Sequence, residues 1–183
     1  KINMNNPLLA AFEAVDQRRE FWLGHPIRNN LCKKFAWAIP NAEAIQALAK
    51  LGPIVEIGAG TGYWASLIAA VGGDIVAYDA KPYHNYWCGG TYHPILTGGP
   101  EMAQKHSNRT LLLCWPPYDE AMAADALLAY EGRTVAYVGE GCGGCTGDYE
   151  FHGLLETLYN DEATIAIPQW GGLHDDLSIW RRK

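Results

Sequence analysis

Val55-Glu56-Ile57-Gly58-Ala59-Gly60-Thr61-Gly62-Tyr63-Trp64-Ala65 is the stretch that decides the fold of this chain. An apolar run, Ile54–Ile57, leads into three glycines at every second position, and a helix-compatible run over 63–71 follows at once. That order is strand, tight turn, helix. Glycines in such a turn let the backbone approach a ligand where a Cβ would collide. The first turn of the following helix offers unpaired N–H groups and the positive end of its dipole. A ligand carrying a carboxylate, a ribose or a phosphate suits that bend.

Spacing distinguishes among glycine turns. A dinucleotide-binding turn has the form G-x-G-x-x-G/A, its third small residue packing the helix onto the strand. Here the glycines are Gly58, Gly60 and Gly62, and Tyr63 stands where the third small residue would be. An acid, Glu56, precedes the first glycine. Downstream, Asp74-Ile75-Val76-Ala77-Tyr78-Asp79 reads as a second strand tipped by a carboxylate. Together these residues resemble motif I and the next strand of the class I S-adenosylmethionine-dependent methyltransferases. The resemblance implies S-adenosylmethionine as cofactor. It implies that Glu56, Gly58, Ala59, Gly60, Gly62 and Tyr63 surround the amino-acid end, and that Asp79, followed by Ala80, takes the ribose hydroxyls. It also implies that Thr97 and Gly98 meet the adenine and that Cys114 completes the cofactor set.

With 183 residues the chain suffices for one domain with a full core. A hydrophobic share of 49% against 19% charged excludes a disordered chain. No apolar run approaches the roughly 18 residues of a membrane span, so no membrane partner is expected. The start shows no hydrophobic stretch of a signal peptide; no Met stands first, which leaves a trimmed leader open. The net charge of −6 disfavours a nucleic-acid partner, since phosphate backbones repel an acidic surface. Arg181-Arg182-Lys183 reads as a solvated tail. Five unevenly spaced cysteines, Cys32, Cys88, Cys114, Cys142 and Cys145, point to reduced thiols and a cytoplasmic location. Cys142-Gly143-Gly144-Cys145 has metal-ligand spacing but no second pair, so no metal site is expected.

Residues 1–52 read as a helical cap and 53–183 as a Rossmann-like core, in one domain. Pro7 opens a helix behind the cap residue Asn6, with Leu8, Leu9, Phe12 and Val15 on one face, until Gly24 and Pro26 break it. A second helix starts at Pro26 and ends at Pro40; a third, capped by Asn41, stops at Gly52-Pro53. Strands are expected at 54–57, 74–78, 95–97, 109–114, 134–138, 164–167 and 177–180. Helices are expected at 62–71, 100–106, 119–130 and 149–159. Alternating strands and helices give a doubly wound α/β fold with a mostly parallel sheet. The short final loop requires the last two strands to be an antiparallel hairpin. Such a seven-stranded sheet, ending in a hairpin, is the methyltransferase arrangement.

Ligands of such a sheet lie beyond the carboxyl ends of the parallel strands. After the fourth strand, Cys114-Trp115-Pro116-Pro117-Tyr118 resembles motif IV of the amino-methylating enzymes, in which a polar residue precedes Pro-Pro and an aromatic one. The resemblance assigns acceptor binding to Trp115, Pro116 and Tyr118. Trp115 departs from the pattern, because an indole donates one hydrogen bond and accepts none. It can serve as an aromatic wall or attract a cation through its face. Candidate general bases are His84, Asp119, Glu140 and His174, with Glu140 and His174 placed facing the substrate. The loop over 81–99, rich in rings (Tyr83, Tyr86, Trp87 and Tyr92), reads as a lid or substrate wall. The expected activity is methyl transfer to nitrogen or oxygen of a small or planar acceptor. A nucleic-acid amino methyltransferase, a nicotinamide oxidoreductase and a non-catalytic S-adenosylmethionine-binding module are the rivals.

Overall fold

A computed structural model of the chain describes residues 4–83, 86 and 89–183. Seven strands form one sheet in the order β3-β2-β1-β4-β5-β7-β6. They are β1 (Ile54–Ile57), β2 (Ile75–Asp79), β3 (Leu96–Thr97), β4 (Thr110–Cys114), β5 (Thr134–Gly139), β6 (Tyr159–Ala166) and β7 (Asp176–Arg182). β1 lies parallel between β2 and β4, and β7 alone runs antiparallel to both of its neighbours, β5 and β6. This is the expected doubly wound sheet with its terminal hairpin.

Alternation along the central strands builds two cores. Ile54 and Leu112 face one side; Val55, Ile57, Leu111 and Leu113 face the other. The first side carries α4 (Ala42–Lys50) and α5 (Tyr63–Ala70), through Ile45, Leu48, Trp64 and Ile68. The second carries α6 (Met122–Ala129) and α7 (Tyr149–Leu158), through Ala123, Leu127, Phe151 and Leu155. Each fully buried aliphatic side chain contributes about 1.5–3 kcal/mol. Arg109 ties three strand starts together at one edge of this frame. Its Nη1 donates to Asp74 Oδ1 at 2.8 Å and to the Ile54 carbonyl at 3.1 Å.

The leader packs on the first core through Leu8, Cys32 and Phe35. Its first helix is shorter than its pattern suggested. α1 (Pro7–Glu13) stops, and Asp16 starts α2 (Gln17–Trp22) by accepting hydrogen bonds from the Arg18 and Arg19 amides. α3 (Pro26–Lys34) follows. Asn41 has two roles: its Oδ1 caps α4 and its Nδ2 donates to the Ala166 carbonyl at 3.0 Å.

Other departures have local causes. The turn at Pro100–His106 is a 3-10 helix. α6 begins at Met122 rather than 119. β6 leaves α7 with no loop and starts at Tyr159, five residues ahead of expectation, because Tyr159 already pairs with Arg182. The basic terminus is no solvated tail. Arg181 pairs with Glu162 at 3.2 Å, and Arg182 donates to the Tyr130 and Gly132 carbonyls. Among the described residues no helix is long and apolar enough to cross a membrane.

Candidate functional site

The bend after β1 is held by its neighbour strand. Gly58 and Ala59 both donate their amides to the Tyr78 carbonyl at 2.9 Å. The Gly60 amide donates to Asp79 Oδ2 at 2.9 Å, and the Lys81 amide to Asp79 Oδ1 at 2.9 Å. Gly58 and Gly60 have φ of 75° and 58°, in the left-handed region. A Cβ on Gly58 would stand 2.7 Å from Met122 Cε. Asp79 thus shapes the bend while each of its oxygens keeps a lone pair for another donor.

Beneath the bend lies Glu56, 1% exposed, in the middle of the sheet. Its Oε2 has no hydrogen-bond partner among the described residues. Burial, and secondarily the Asp79 carboxylate, push its pKa up to about 8. A buried carboxyl left with an unused oxygen is costly in the protein alone. It fits a cationic or hydrogen-bond-donating ligand group.

A cavity of about 850 Å³ opens over these residues. Of the residues singled out in the sequence, it is lined by Glu56, Gly58, Ala59, Gly60, Tyr63, Asp79, Ala80, Tyr86, Gly98, Cys114, Trp115, Pro117, Tyr118 and the candidate base Asp119. Gly62, Thr97, Pro116, Glu140 and His174 are not in that lining. Gly62 caps α5 with φ 70°, its amide turned to the Ala59 carbonyl. The Tyr63 hydroxyl ties down the leader, donating to Asn6 Oδ1 at 2.8 Å and accepting from the Leu8 amide at 3.2 Å. His84, Trp87 and Cys88 lie outside the described residues.

The loop after β4 differs from an amine-binding loop. Trp115 has φ 54°, a left-handed conformation rare for a bulky residue. Its indole N–H donates to Asp175 Oδ1 at 2.9 Å, and its ring stacks on Trp37 with centroids 4.6 Å apart and planes 8° from parallel. The Pro116 carbonyl accepts from the Gly147 amide at 2.9 Å. The indole N–H of Trp115 and the Pro116 carbonyl are therefore engaged inside the protein. Trp115 and Trp37, stacked face to face, both line the cavity.

Glu140 serves the loops on either side of it. Its Oε2 accepts from the Cys145 amide at 2.7 Å and its Oε1 from the His174 amide at 2.8 Å. Although burial opposes ionisation, those bonds hold its pKa below the usual carboxylate range. The imidazole of His174 is mostly exposed, with Nδ1 3.4 Å from Glu140. This geometry braces the segments that follow β5 and β6; it does not aim either group at the cavity.

Sequence reasoning missed Asp175, Arg28, Cys32, Trp37, Cys145 and Leu173. Asp175 is 1% exposed, behind Trp115, with Oδ2 unpartnered among the described residues. Burial raises its pKa to about 6, against the lowering effect of the Trp115 hydrogen bond. The other five residues line the cavity. Burial pushes the Cys32 thiol up to about 12, so it stays protonated and is no nucleophile at neutral pH. The ring content of the leader is the one signal that could have drawn attention to Trp37.

No family model matches the chain, and no curated protein matches it. Solved structures do. One is the 1,6-didemethyltoxoflavin-N1-methyltransferase of Burkholderia thailandensis with bound 1,6-didemethyltoxoflavin and S-adenosylhomocysteine. It is 14% identical, with a TM-score of 0.52 over 96% of this chain and 87% of that one. Another is the magnesium protoporphyrin IX methyltransferase of Synechocystis PCC 6803 with bound S-adenosylmethionine, 13% identical, with a TM-score of 0.51 over 92% and 85%. At such identities the likeness speaks for the fold, and the chain has the class I methyltransferase fold.

Proposed function

We propose that this protein is an S-adenosylmethionine-dependent methyltransferase acting on a nitrogen or oxygen of a small or planar acceptor. The observation that carries the reading is the unpartnered Oε2 of buried Glu56 beneath the Gly58–Gly60 bend, at the floor of the cavity. In this reading Glu56 and the bend, Gly58, Ala59 and Gly60, with Gly62 and Tyr63 behind it, hold the amino-acid end of the cofactor. Asp79 and Ala80 hold its ribose, and Thr97, Gly98 and Cys114 complete its surroundings. Residues 1–52 cap a core formed by 53–183 within one domain. The two solved methyltransferases of the same fold, each holding this cofactor or its demethylated product, support the choice of ligand.

When bound, S-adenosylmethionine supplies a methyl group already activated on a sulfonium. What remains for the chain is orientation and exclusion of water, which can account for most of the rate of such a transfer. Trp115 and Tyr118 at the cavity, with Pro116 fixing their loop, orient the acceptor. Glu140 and His174 act on it through the loops they brace. The loop after β4 also bears on the rivals. With an indole that donates to Asp175 in place of a polar first residue, and the Pro116 carbonyl already taking the Gly147 amide, it lacks the side-chain acceptor that would receive a nucleobase amine. That weighs against a nucleic-acid amino methyltransferase.

Calorimetry with S-adenosylmethionine, S-adenosylhomocysteine and NAD tests the reading. Binding of the first two and not of NAD is expected, with loss of affinity in Glu56→Gln. Preference for NAD would sink it. Methyl transfer to a panel of acceptors separates an enzyme from a non-catalytic binding module.

A further inference from the structure

The cavity is larger than the bend requires. Its 850 Å³ stands high in the range of about 300–1,000 Å³ for small-molecule sites. The strand order separates its two ends. Asp79 and Gly98 belong to the β2 and β3 side of β1, whereas Trp115, Cys145 and Leu173 follow β4, β5 and β6 on the other side. Across that second end lies the leader, contributing Arg28, Cys32 and Trp37.

Three properties of this end bear on what it takes. The first is a rigid stack of two indoles. Trp115 is fixed through its amide to Val138 at 2.8 Å and through its indole to Asp175. Trp37 lies parallel to it, and the Trp37 carbonyl accepts from Trp170 Nε1 at 3.2 Å. The second is charge. The guanidinium of Arg28 stands over the Trp37 ring at 5.7 Å. Its Nε reaches Asn29 Oδ1 at 3.4 Å, and among the described residues it pairs with no carboxylate, in a chain of net charge −6. The cavity's acids, Glu56, Asp79, Asp119 and Glu120, come from β1, the end of β2 and the segment after β4, not from the leader. The third is the neutrality of the two thiols beside Arg28. Burial raises both Cys32 and Cys145, so neither satisfies the guanidinium as a thiolate at neutral pH.

We infer that this end is the acceptor site, and that the acceptor is a flat aromatic molecule bearing an anionic group, its ring against the open side of the Trp37–Trp115 stack and its anion on Arg28. The inference rests on the methyltransferase reading for the word acceptor; the ligand chemistry rests on these side chains. A planar guanidinium matches a carboxylate with two parallel hydrogen bonds. The open side of a stacked indole pair favours an aromatic ring over an aliphatic chain.

Three probes test this on the full chain saturated with S-adenosylhomocysteine: 2-naphthoate, 2-naphthamide and cyclohexanecarboxylate, each titrated by calorimetry. Naphthoate is expected to bind at least ten-fold more tightly than either of the others. In Arg28→Met the advantage over naphthamide disappears while S-adenosylhomocysteine affinity stays within two-fold; Arg28→Lys restores part of it. Equal binding of the amide, an unchanged preference in Arg28→Met, or displacement of S-adenosylhomocysteine by naphthoate would overturn the inference. The same titrations on protein without S-adenosylhomocysteine keep the two readings apart. Failure to bind S-adenosylhomocysteine refutes the cofactor assignment, whereas loss of the Arg28-dependent preference refutes this one.

Discussion

Replacing Glu56 with glutamine keeps the shape of the side chain and removes its proton equilibrium. In the folded protein burial moves this carboxyl from 4.5 to about 8, Asp79 adding to the effect. Between those two values the folded state keeps a proton that the unfolded chain has released. Stability therefore falls as pH rises through that window, by about 1.4 kcal/mol per unit for this one group. From pH 4.5 to 7 the loss is about 3 kcal/mol, and it levels off above pH 8. Glu56 is fully buried, so solvent screening does not reduce the figure. Cofactor-free Glu56→Gln should match the parent protein near pH 4.5 and exceed it by about 3 kcal/mol at pH 7, roughly 6–12 °C in Tm for a chain of this size. Urea unfolding at pH 5, 7 and 8.5 measures the difference. The same variant should bind S-adenosylhomocysteine more weakly. A stability difference independent of pH would refute the account of Glu56 as a buried carboxyl awaiting its ligand.

Three further substitutions have worked expectations. Gly58→Ala forces a Cβ into a backbone with φ 75° and against the flexible end of Met122. A loss of about 1–2 kcal/mol is expected from the backbone alone, and adding Met122→Ala should recover little of it in chemical denaturation. Trp115→Phe leaves Asp175 without its hydrogen-bond donor. Stability should drop by about 1–3 kcal/mol, more above pH 6, where Asp175 is ionised, than below it; equal losses at pH 5 and 8 would contradict this. Tyr63→Phe removes the hydroxyl between Asn6 and the Leu8 amide, and hydrogen exchange at Leu8 should quicken along with a loss of about 1 kcal/mol.

The frame of the protein was legible along the chain. Ile54–Ile57 with its glycines, the apolar run ending at Cys114 and the short final loop each carry a period or a turn chemistry that acts within a few residues. Those signals sufficed for the doubly wound sheet and for a bend beside Asp79. Propensity was weaker where pairing overrode it. Tyr159 and Asn160 became strand because β7 was there to receive them, and Arg182 found the carbonyls of Tyr130 and Gly132.

The cavity was half legible. Its bend side, from Glu56 to Asp79, follows from local sequence. Its other side does not, because Trp37 meets Trp115, and Asp175 meets the indole of Trp115, only after the leader and the last hairpin close over the sheet. Glu140 occupies the expected loop, but its direction depends on two amides, of Cys145 and His174, that the fold brings to it. Strand periodicity and glycine spacing are short-range properties and determined the scaffold. Which side chains share one cavity is a long-range property, and only the packed tertiary structure decided it.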